Sequence, residues 1–434
     1  MGLIERFCCQ SIHNDKVMIN IFFLLILFSS VLGRIKFPGI NIGIHYLLIP
    51  AFSFGIISLS LKSIPEVVNK HKIILISISL MYMWMWISSL MSRFPTIAIS
   101  YSIKYSTYFI LFLAFLLLTF KSIKTPSLTF YYRCILYLLQ IIAILGFLEV
   151  LLPNHWIFKL LKFPSFYPEI GSIMQNPNQF GVIIAIGLCL SLILEKQNKI
   201  SKIELYVSEL IFIISLAFSA SGNGWLIFII GTFLLLIYKI ISFRKMIYLT
   251  SFLLLCIVTV PVSTQRIGLA NSKIFPLINV FNAFSENSNL VNPNKKPLIT
   301  IIKTGFSRVE IWQAAINETI KRPLTGIGIG VFPEQIGVKV WGQKGYHAHN
   351  IFLNVLAEQG IPGLLLFTNF LVKITFKVKY SNPLVTVPII LFLASQMLDF
   401  FAEDYIFTTI EFYFIAAAIN SRRDFVMQLK PEII

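Results

Sequence analysis

The sequence predicts an all-α polytopic membrane protein, with about twelve transmembrane helices and one long extracytoplasmic loop containing short helices. Two observations predict this class. Of the 434 residues, 56% are hydrophobic and 13% are charged, and the mean hydropathy is +0.80, so polar side chains are too few to cover a soluble protein of this size. Apolar runs of about 17 to 25 residues also recur along nearly the whole chain, and each can cross a hydrocarbon core of roughly 30 Å as a helix.

Twelve apolar segments are predicted to span the membrane. The first is interpreted as a span rather than a signal peptide, because Ser29 to Gly33 is a poor cleavage site and Arg34 and Lys36 follow at once. The twelve segments lie at about 17–33, 40–61, 73–91, 97–120, 134–152, 180–194, 205–221, 224–241, 246–262, 351–372, 384–399 and 405–420.

Lysine and arginine residues are distributed unevenly between these segments. With the N-terminus inside, 20 of them lie in cytoplasmic segments and only five lie in the short outer loops. This asymmetry predicts that both termini are cytoplasmic. It divides the chain into spans 1–9 (residues 1–262), an extracytoplasmic loop carrying the active site (263–350), and spans 10–12 with a cytoplasmic tail (351–434). The basic residues do not gather on one soluble face, so the net charge of +17 does not indicate a nucleic-acid partner.

The predicted outer loop begins with a stretch rich in Asn, Ser and Pro, at residues 271–297, which argues against regular structure there. Further on, Ser307 and Glu310 have the spacing of a capping box, which predicts a helix that begins at Ser307 and ends before Pro323. Arg308 would then lie in the first turn, where free backbone N–H groups and the positive end of the helix dipole favour an anion.

One face of this helix is predicted to carry four side chains at i, i+3 and i+4 spacing, namely Arg308, Trp312, Ala315 and Thr319. A guanidinium group suits bidentate contact with phosphate oxygens. A solvated surface arginine without a role is the alternative.

Three alternating glycines, Gly326, Gly328 and Gly330, follow the helix. The preceding strand and following helix of a dinucleotide-binding loop are absent from the pattern, which leaves two interpretations. The run is either a flexible hinge or a set of backbone N–H groups that binds an oxyanion.

His347 and His349 lie just ahead of the apolar run that begins at Ile351. No cysteines or clustered carboxylates accompany them, and the five cysteines of the chain lack metal-type spacing, so we expect neither a metal site nor a disulfide. A histidine at the membrane face could act as a base or hydrogen-bond donor, or have no role. Asn350 is predicted to cap the following helix.

Several acids lie within or near the predicted spans. Acids inside the spans are expected to be paired or functional, and most of those near the outer ends of spans are expected to be interfacial or paired. A proton-coupled transporter would also need such acids, so this class stays open. The acids are Glu149, Glu209, Glu358, Asp399, Glu403, Asp404 and Glu411.

The segment from Ser307 to Gly363 resembles the family of O-antigen ligases and O-antigen polymerases, which are bacterial polytopic membrane glycosyltransferases. The resemblance rests on S-R-x-x-x-W at Ser307, P-x-x-G-x-G-x-G-x-F at Pro323, H-N-x-F-L at His349 and E-x-G-I-P-G at Glu358. The NPNQFG sequence at residues 176–181 is similar to another motif of the family.

This resemblance implies transfer of a glycan from a polyprenyl diphosphate carrier to an acceptor hydroxyl, at the outer face of the bacterial plasma (inner) membrane. The acceptor would be a lipid-anchored or carrier-linked glycan, and no metal or nucleotide sugar would be needed. Arg308 would neutralise the diphosphate, and His349 would orient or deprotonate the acceptor hydroxyl. The candidate substrate-binding residues are Trp312, Gly326, Gly328, Gly330, His347, Asn350, Asn223 and Asn178.

The chain departs from the family at Gly222, where members often carry an arginine. Asn223 and neighbouring backbone N–H groups could contact the diphosphate instead, or another basic residue could substitute. The sequence does not distinguish a ligase from a polymerase, and a multi-pass transporter or flippase is the alternative function.

Overall fold

The computed structural model describes residues 2–32, 43–122, 127–151, 171–174, 176–260, 297–341, 346–378, 381–399 and 404–421. Within these ranges the regular elements are helices, and no β-strand is present. The α-helices are α1 (Gly2–Val31), α2 (His45–Leu59), α3 (Ile64–Leu90), α4 (Pro95–Ser122), α5 (Ser127–Leu151), α6 (Pro177–Lys196), α7 (Lys202–Phe218), α8 (Gly222–Ile237), α9 (Phe243–Thr259), α10 (Pro297–Lys321), α11 (Gly337–Trp341), α12 (Ile351–Val378), α13 (Pro383–Leu398) and α14 (Tyr405–Asn420).

Each of the twelve apolar segments overlaps one of these helices. Among the described residues, five helical stretches are long and apolar enough to cross a membrane. They are Leu61–Leu90, Pro95–Lys121, Leu128–Glu149, Pro177–Lys196 and Ile351–Val378. The chain is therefore a helical membrane protein, while the count of twelve spans and the orientation of the termini stay predictions.

Helix α6 lies at the centre of the helical assembly. Its residues from Gln179 to Leu194 are all buried, as expected for a helix that is apolar on every side and surrounded by others. It packs against α5, α7, α8 and α13, while α14 packs against α4 and α13. The N-terminus of α6 thereby comes close to the N-terminus of α8 and to the C-terminus of α13.

The described intramembrane glutamates are paired, which is one of the two roles predicted for them. The Glu209 carboxylate accepts a hydrogen bond from the Lys245 Nζ at 2.7 Å, and Glu411 accepts one from Gln396 at 3.2 Å. Pairing lowers the cost of burying a carboxylate. Glu149 likewise accepts from the Ser172 backbone N–H at 2.9 Å, and Glu358 from the Phe332 N–H at 3.2 Å.

The prediction that a helix begins at Ser307 is wrong, because α10 begins ten residues earlier, at Pro297. Proline is favoured in a first helical turn, where its missing N–H costs no hydrogen bond. Arg308 therefore lies in the interior of α10, away from the free N–H groups of the helix end. The predicted end before Pro323 is confirmed, since α10 ends at Lys321. The turn-rich part of the predicted loop, up to residue 296, lies outside the described residues.

Candidate active site at the His349 loop

A short loop, residues 346–350, directly precedes α12, and we call it the His349 loop. His349 has a positive φ of 50°, a left-handed backbone conformation that is uncommon outside glycine. Its Nδ1 lies 2.6 Å from Oδ1 of Asp399, the residue that follows α13. The histidine side chain is 20% exposed and the aspartate side chain 8% exposed, so the pair is at the edge of the interior with access from outside.

Asp399 also connects the His349 loop to the N-terminal ends of α6 and α8. Its Oδ2 lies 3.5 Å from Nδ2 of Asn178, in the first turn of α6. The Asn178 Oδ1 accepts a hydrogen bond from the Ser221 hydroxyl at 3.0 Å. Ser221 in turn caps α8, because its Oγ accepts from the Gly224 N–H at 2.9 Å. The His349 loop and the start of α6 thus meet at the Asp399 carboxylate, and Asn178 links the start of α8 to them.

The Asn223 side chain lies in the first turn of α8, beside this network. Its Nδ2 is buried and has no hydrogen-bond partner in the described part of the chain. A buried donor without a partner is costly, which makes it a candidate contact for a substrate oxygen. The neighbouring position 222, where family members often carry an arginine, is open, with no atom within 4 Å of where a Cβ would lie.

Helix α10 holds the other side of the His349 loop. The Trp312 indole N–H donates to the Ala348 carbonyl oxygen at 2.8 Å. Arg308 is one turn away on the same face, which is buried further along at Ala315 and Thr319, as the spacing predicts. The Arg308 guanidinium is partly exposed, and among the described residues it makes no ion pair or side-chain hydrogen bond. No described residue therefore neutralises its charge.

Asn350 fixes the junction between the loop and α12. Its Oδ1 accepts from the backbone N–H groups of Phe352 and Leu353 at 3.0 and 3.1 Å, so the predicted cap is confirmed. Its Nδ2 donates to the carbonyl oxygen of Met397 at 3.1 Å, which ties the loop to α13 just ahead of Asp399. His347, the other histidine of the loop, is buried.

A protein-family model described as O-antigen ligase matches residues 207–368 of the chain. The match includes the Trp312 and Arg308 face of α10, the three glycines and the His349 loop. The resemblance to the O-antigen ligase family is confirmed over these residues. No curated protein matches the chain. The match supports an O-antigen ligase-type function in surface polysaccharide synthesis.

Asp399 lies beyond the O-antigen ligase match and was not predicted as the partner of His349. The sequence placed it only among the acids near the ends of spans, for which pairing or an interfacial position was expected. Fifty residues separate it from His349, so no local spacing could have joined them. Ser221 was likewise not predicted. The sequence did offer an indication of its role, because Ser221 directly precedes the first glycine of α8 and serine is a favoured N-cap residue.

The three glycines, which lie within the matched residues, pack against a kink in α12. At this kink Gly360 has φ of +69° and Pro362 lacks an N–H, so the carbonyl groups of Ala357, Glu358 and Gln359 lose their usual helical partners. Other parts of the chain supply the missing donors. These are the Ile327 N–H for Ala357 (3.0 Å), the Gly328 N–H and Ser88 hydroxyl for Glu358 (2.8 and 2.9 Å), and the Trp84 indole N–H for Gln359 (2.9 Å).

This arrangement favours a packing role for the glycines over oxyanion binding. The N–H groups of Gly326, Ile327 and Gly328 all donate to carbonyl groups of the protein. Gly326, Gly328 and Gly330 have φ of 64°, 100° and 71°, which only glycine adopts readily. A Cβ on Gly330 would collide with the Tyr101 ring. Residues 326–330 therefore form a close-packed contact with α4 and α12.

Gly330→Ala is expected to destabilise the protein by about 2 to 4 kcal/mol, which sums a left-handed backbone penalty and an overpacking penalty. The thermal unfolding midpoint of the purified protein in detergent measures this loss. Gly222→Ala is the matched control, because open space surrounds that position, and it should leave the midpoint unchanged. A Gly330→Ala protein that is fully stable but inactive would instead indicate a direct role in binding substrate.

A cavity of about 390 Å³ lies between α3, α4, α12, α13 and α14. Its lining is predominantly apolar and aromatic, with a few acids and amides that include Glu358 and Glu411. Ile351, Phe352 and Met397 form the part of the lining nearest to the His349 loop, because Asn350 bonds to Met397 and precedes the other two. The cavity therefore lies beside the His349 loop, although His349, Asp399 and Arg308 do not line it.

Proposed function

We propose that the protein transfers a glycan from a polyprenyl diphosphate carrier to an acceptor sugar hydroxyl, at the membrane face where the His349 loop lies. The observation that carries the proposal is the pairing of His349 with Asp399 in a loop bonded by Trp312, one helical turn from Arg308, whose charge no described residue neutralises. A base and a free cation are the two groups that displacement of a sugar from a diphosphate requires.

The acceptor hydroxyl attacks the anomeric carbon of the donor sugar, and a new glycosidic C–O bond forms as the C–O bond to the diphosphate breaks. With the His349 Nδ1–H donated to Asp399, Nε2 is the basic nitrogen and takes the hydroxyl proton. The electron pair of the broken bond leaves on the diphosphate, whose added charge Arg308 stabilises. Atoms and charge balance without a metal ion or a nucleotide.

The cavity supports a lipid-linked donor. Its apolar and aromatic lining suits a hydrocarbon chain, and it reaches residues that adjoin the His349 loop. A polyprenyl chain bound there would place its diphosphate near Arg308 and His349. Asn223, with its unpartnered Nδ2, is a further candidate for contact with a diphosphate oxygen, in the place of the arginine that family members often carry at position 222.

Purified protein in liposomes, supplied with a polyprenyl-diphosphate-linked glycan and a sugar acceptor, tests the proposal directly. Formation of a glycosidic product together with the free carrier diphosphate would support it. Movement of the donor across the bilayer without any covalent product would contradict it and support a transporter or flippase.

The acceptor separates the two forms of the reaction. A strain that lacks the gene would accumulate carrier-linked polymer with no long chains on its surface if the protein is a ligase. Single-repeat surface glycans would identify a polymerase. Gel electrophoresis of the surface glycan distinguishes the two results.

Asp399→Asn is expected to lower kcat for glycan transfer by about 10- to 100-fold, because an amide can present its N–H to His349 and favour the wrong tautomer. The donor concentration for half-maximal rate should change little, since Asp399 does not contact the donor in this scheme. Asn420→Ala is not a suitable control, because Asn420 bonds to Thr119 and His71 in the core. Gln313→Ala, on the exposed polar side of α10, should leave kcat unchanged.

A further inference from the structure

Helix α10 has two rows of large or apolar side chains, and among the described residues one row is buried while the other is exposed. Ile311, Ala315 and Thr319 are buried against the rest of the molecule. A second row, at i, i+3, i+7 and i+11, is exposed, and we call it the α10 strip. It consists of Val309, Trp312, Ile316 and Ile320, with Ile320 71% exposed. An exposed row of four large apolar side chains on one helix face indicates a surface that contacts something other than water.

The C-terminal end of α10 lies alongside a membrane-spanning helix. The Pro323 carbonyl oxygen accepts a hydrogen bond from the Ile361 N–H of α12 at 2.8 Å, and the Leu324 carbonyl lies against Gly360. Gly360 is nine residues into α12, which is roughly 13 Å along the helix axis. The segment that follows α10 is therefore below the outer end of α12 and within the depth of the span.

The α10 strip continues into an exposed apolar surface of that span. Leu324 is 67% exposed, and Ile361 and Leu365 on α12 are 47% and 64% exposed. Side chains of this kind on a membrane-spanning helix contact the acyl chains of lipid. The α10 strip is thus an extension of a lipid-contacting surface.

We infer that α10 lies in the membrane–water interface on the side of the His349 loop, with the α10 strip inserted at the headgroup and acyl-chain boundary of that leaflet. The occupant of the strip is membrane lipid. The neighbouring edge of the helix, at Glu310, Gln313 and Asn317, is exposed and polar and would face water. A helix with an apolar strip beside a polar edge, and with a tryptophan where the strip meets the buried face, suits this position.

This placement has a consequence for the site, and the consequence rests on the proposed function. Trp312 belongs to the strip and also donates to the Ala348 carbonyl oxygen. Lipid contact at α10 therefore fixes the position of the His349 loop relative to the membrane surface. Arg308, one turn before Trp312, is then held near the headgroup level. The diphosphate of a lipid-linked donor lies at that same level.

Spin labels distinguish lipid, water and protein as the occupant of the strip. Single cysteines at Val309, Ile316 and Ile320 would be labelled in a chain whose own five cysteines are replaced by alanine, reconstituted in vesicles of phosphatidylethanolamine and phosphatidylglycerol. Labels at Glu310, Gln313 and Asn317 are the matched controls from the polar edge. The parent and each variant should keep the same thermal unfolding midpoint.

The strip labels are expected to collide several-fold more with oxygen than with a water-soluble nickel chelate, relative to labels on the polar edge. Equal access of the nickel chelate to both sets would overturn the inference, because the strip would then face water. Protection of the strip labels from both reagents would also overturn it, because protein would then cover the strip. Either result would leave the proposal of glycan transfer standing. Loss of transfer in the His349 variants would, in turn, not change the accessibility pattern of the labels.

Discussion

His349→Asn is expected to lower the glycan-transfer rate by about 10³-fold, within the range by which general bases accelerate reactions. Asparagine tolerates the left-handed backbone conformation observed at position 349, and its Nδ2 can donate to Asp399 as the histidine Nδ1 does. The substitution therefore removes the basic nitrogen while keeping the backbone and the contact to Asp399. Initial rates in liposomes, with equal amounts of reconstituted protein, measure the effect.

Two measurements make this result specific. The thermal unfolding midpoint of His349→Asn should equal that of the unmodified protein, since the loop geometry is retained. Combining His349→Asn with Asp399→Asn should cost little more than His349→Asn alone, because Asp399 acts through the histidine. Transfer at the normal rate by the His349→Asn protein would eliminate His349 as the base.

Arg308→Ala is expected to lower the transfer rate by about 10²- to 10³-fold, the loss usually seen when one group that stabilises transition-state charge is removed. The guanidinium has no anionic partner among the described residues, so its removal should not expose an unpaired acid. Arg308→Lys should recover part of the rate, because it restores the charge without the planar pair of donors. The same liposome assay measures both variants.

Arg322→Ala is the matched control for Arg308→Ala. Arg322 directly follows α10 and has the same charge, but its Nη1 is directed to the Met91 carbonyl oxygen at 3.4 Å. If the arginine contribution were only a general attraction of an anionic donor, both substitutions would weaken transfer equally. A rate loss confined to Arg308→Ala would locate the diphosphate beside Arg308.

The helices could be predicted from the sequence because a membrane span must satisfy its backbone hydrogen bonds within itself. Local composition is then sufficient, and the predicted segment 384–399 overlaps α13, Pro383–Leu398. The Asn350 cap was predictable for the same reason, since it depends on residues three positions apart. The prediction that a helix begins at Ser307 was wrong although its pattern is also local. A capping-box pattern does not prevent a helix from starting earlier, at Pro297.

The contacts that complete the candidate site could not be predicted from sequence. Asp399 reaches His349 because α13 ends where α12 begins, and that proximity depends on how the helices pack. The role of the glycines depends equally on tertiary structure. The sequence suggested a hinge or an oxyanion site. It does not reveal that the kink at Gly360 leaves carbonyl groups of α12 without helical donors, or that N–H groups of the glycine segment supply them.

The left-handed backbone at His349 also limits which residues the position can accept. Valine, isoleucine and threonine are excluded by their branched Cβ atoms, whatever chemistry they might offer. Most other side chains would add about 1 to 2 kcal/mol of backbone strain. Histidine, asparagine and aspartate are among the non-glycine residues that tolerate this conformation best, and of these only histidine supplies a basic ring nitrogen. The backbone conformation at position 349 therefore limits which residues can replace histidine, independently of any catalytic requirement.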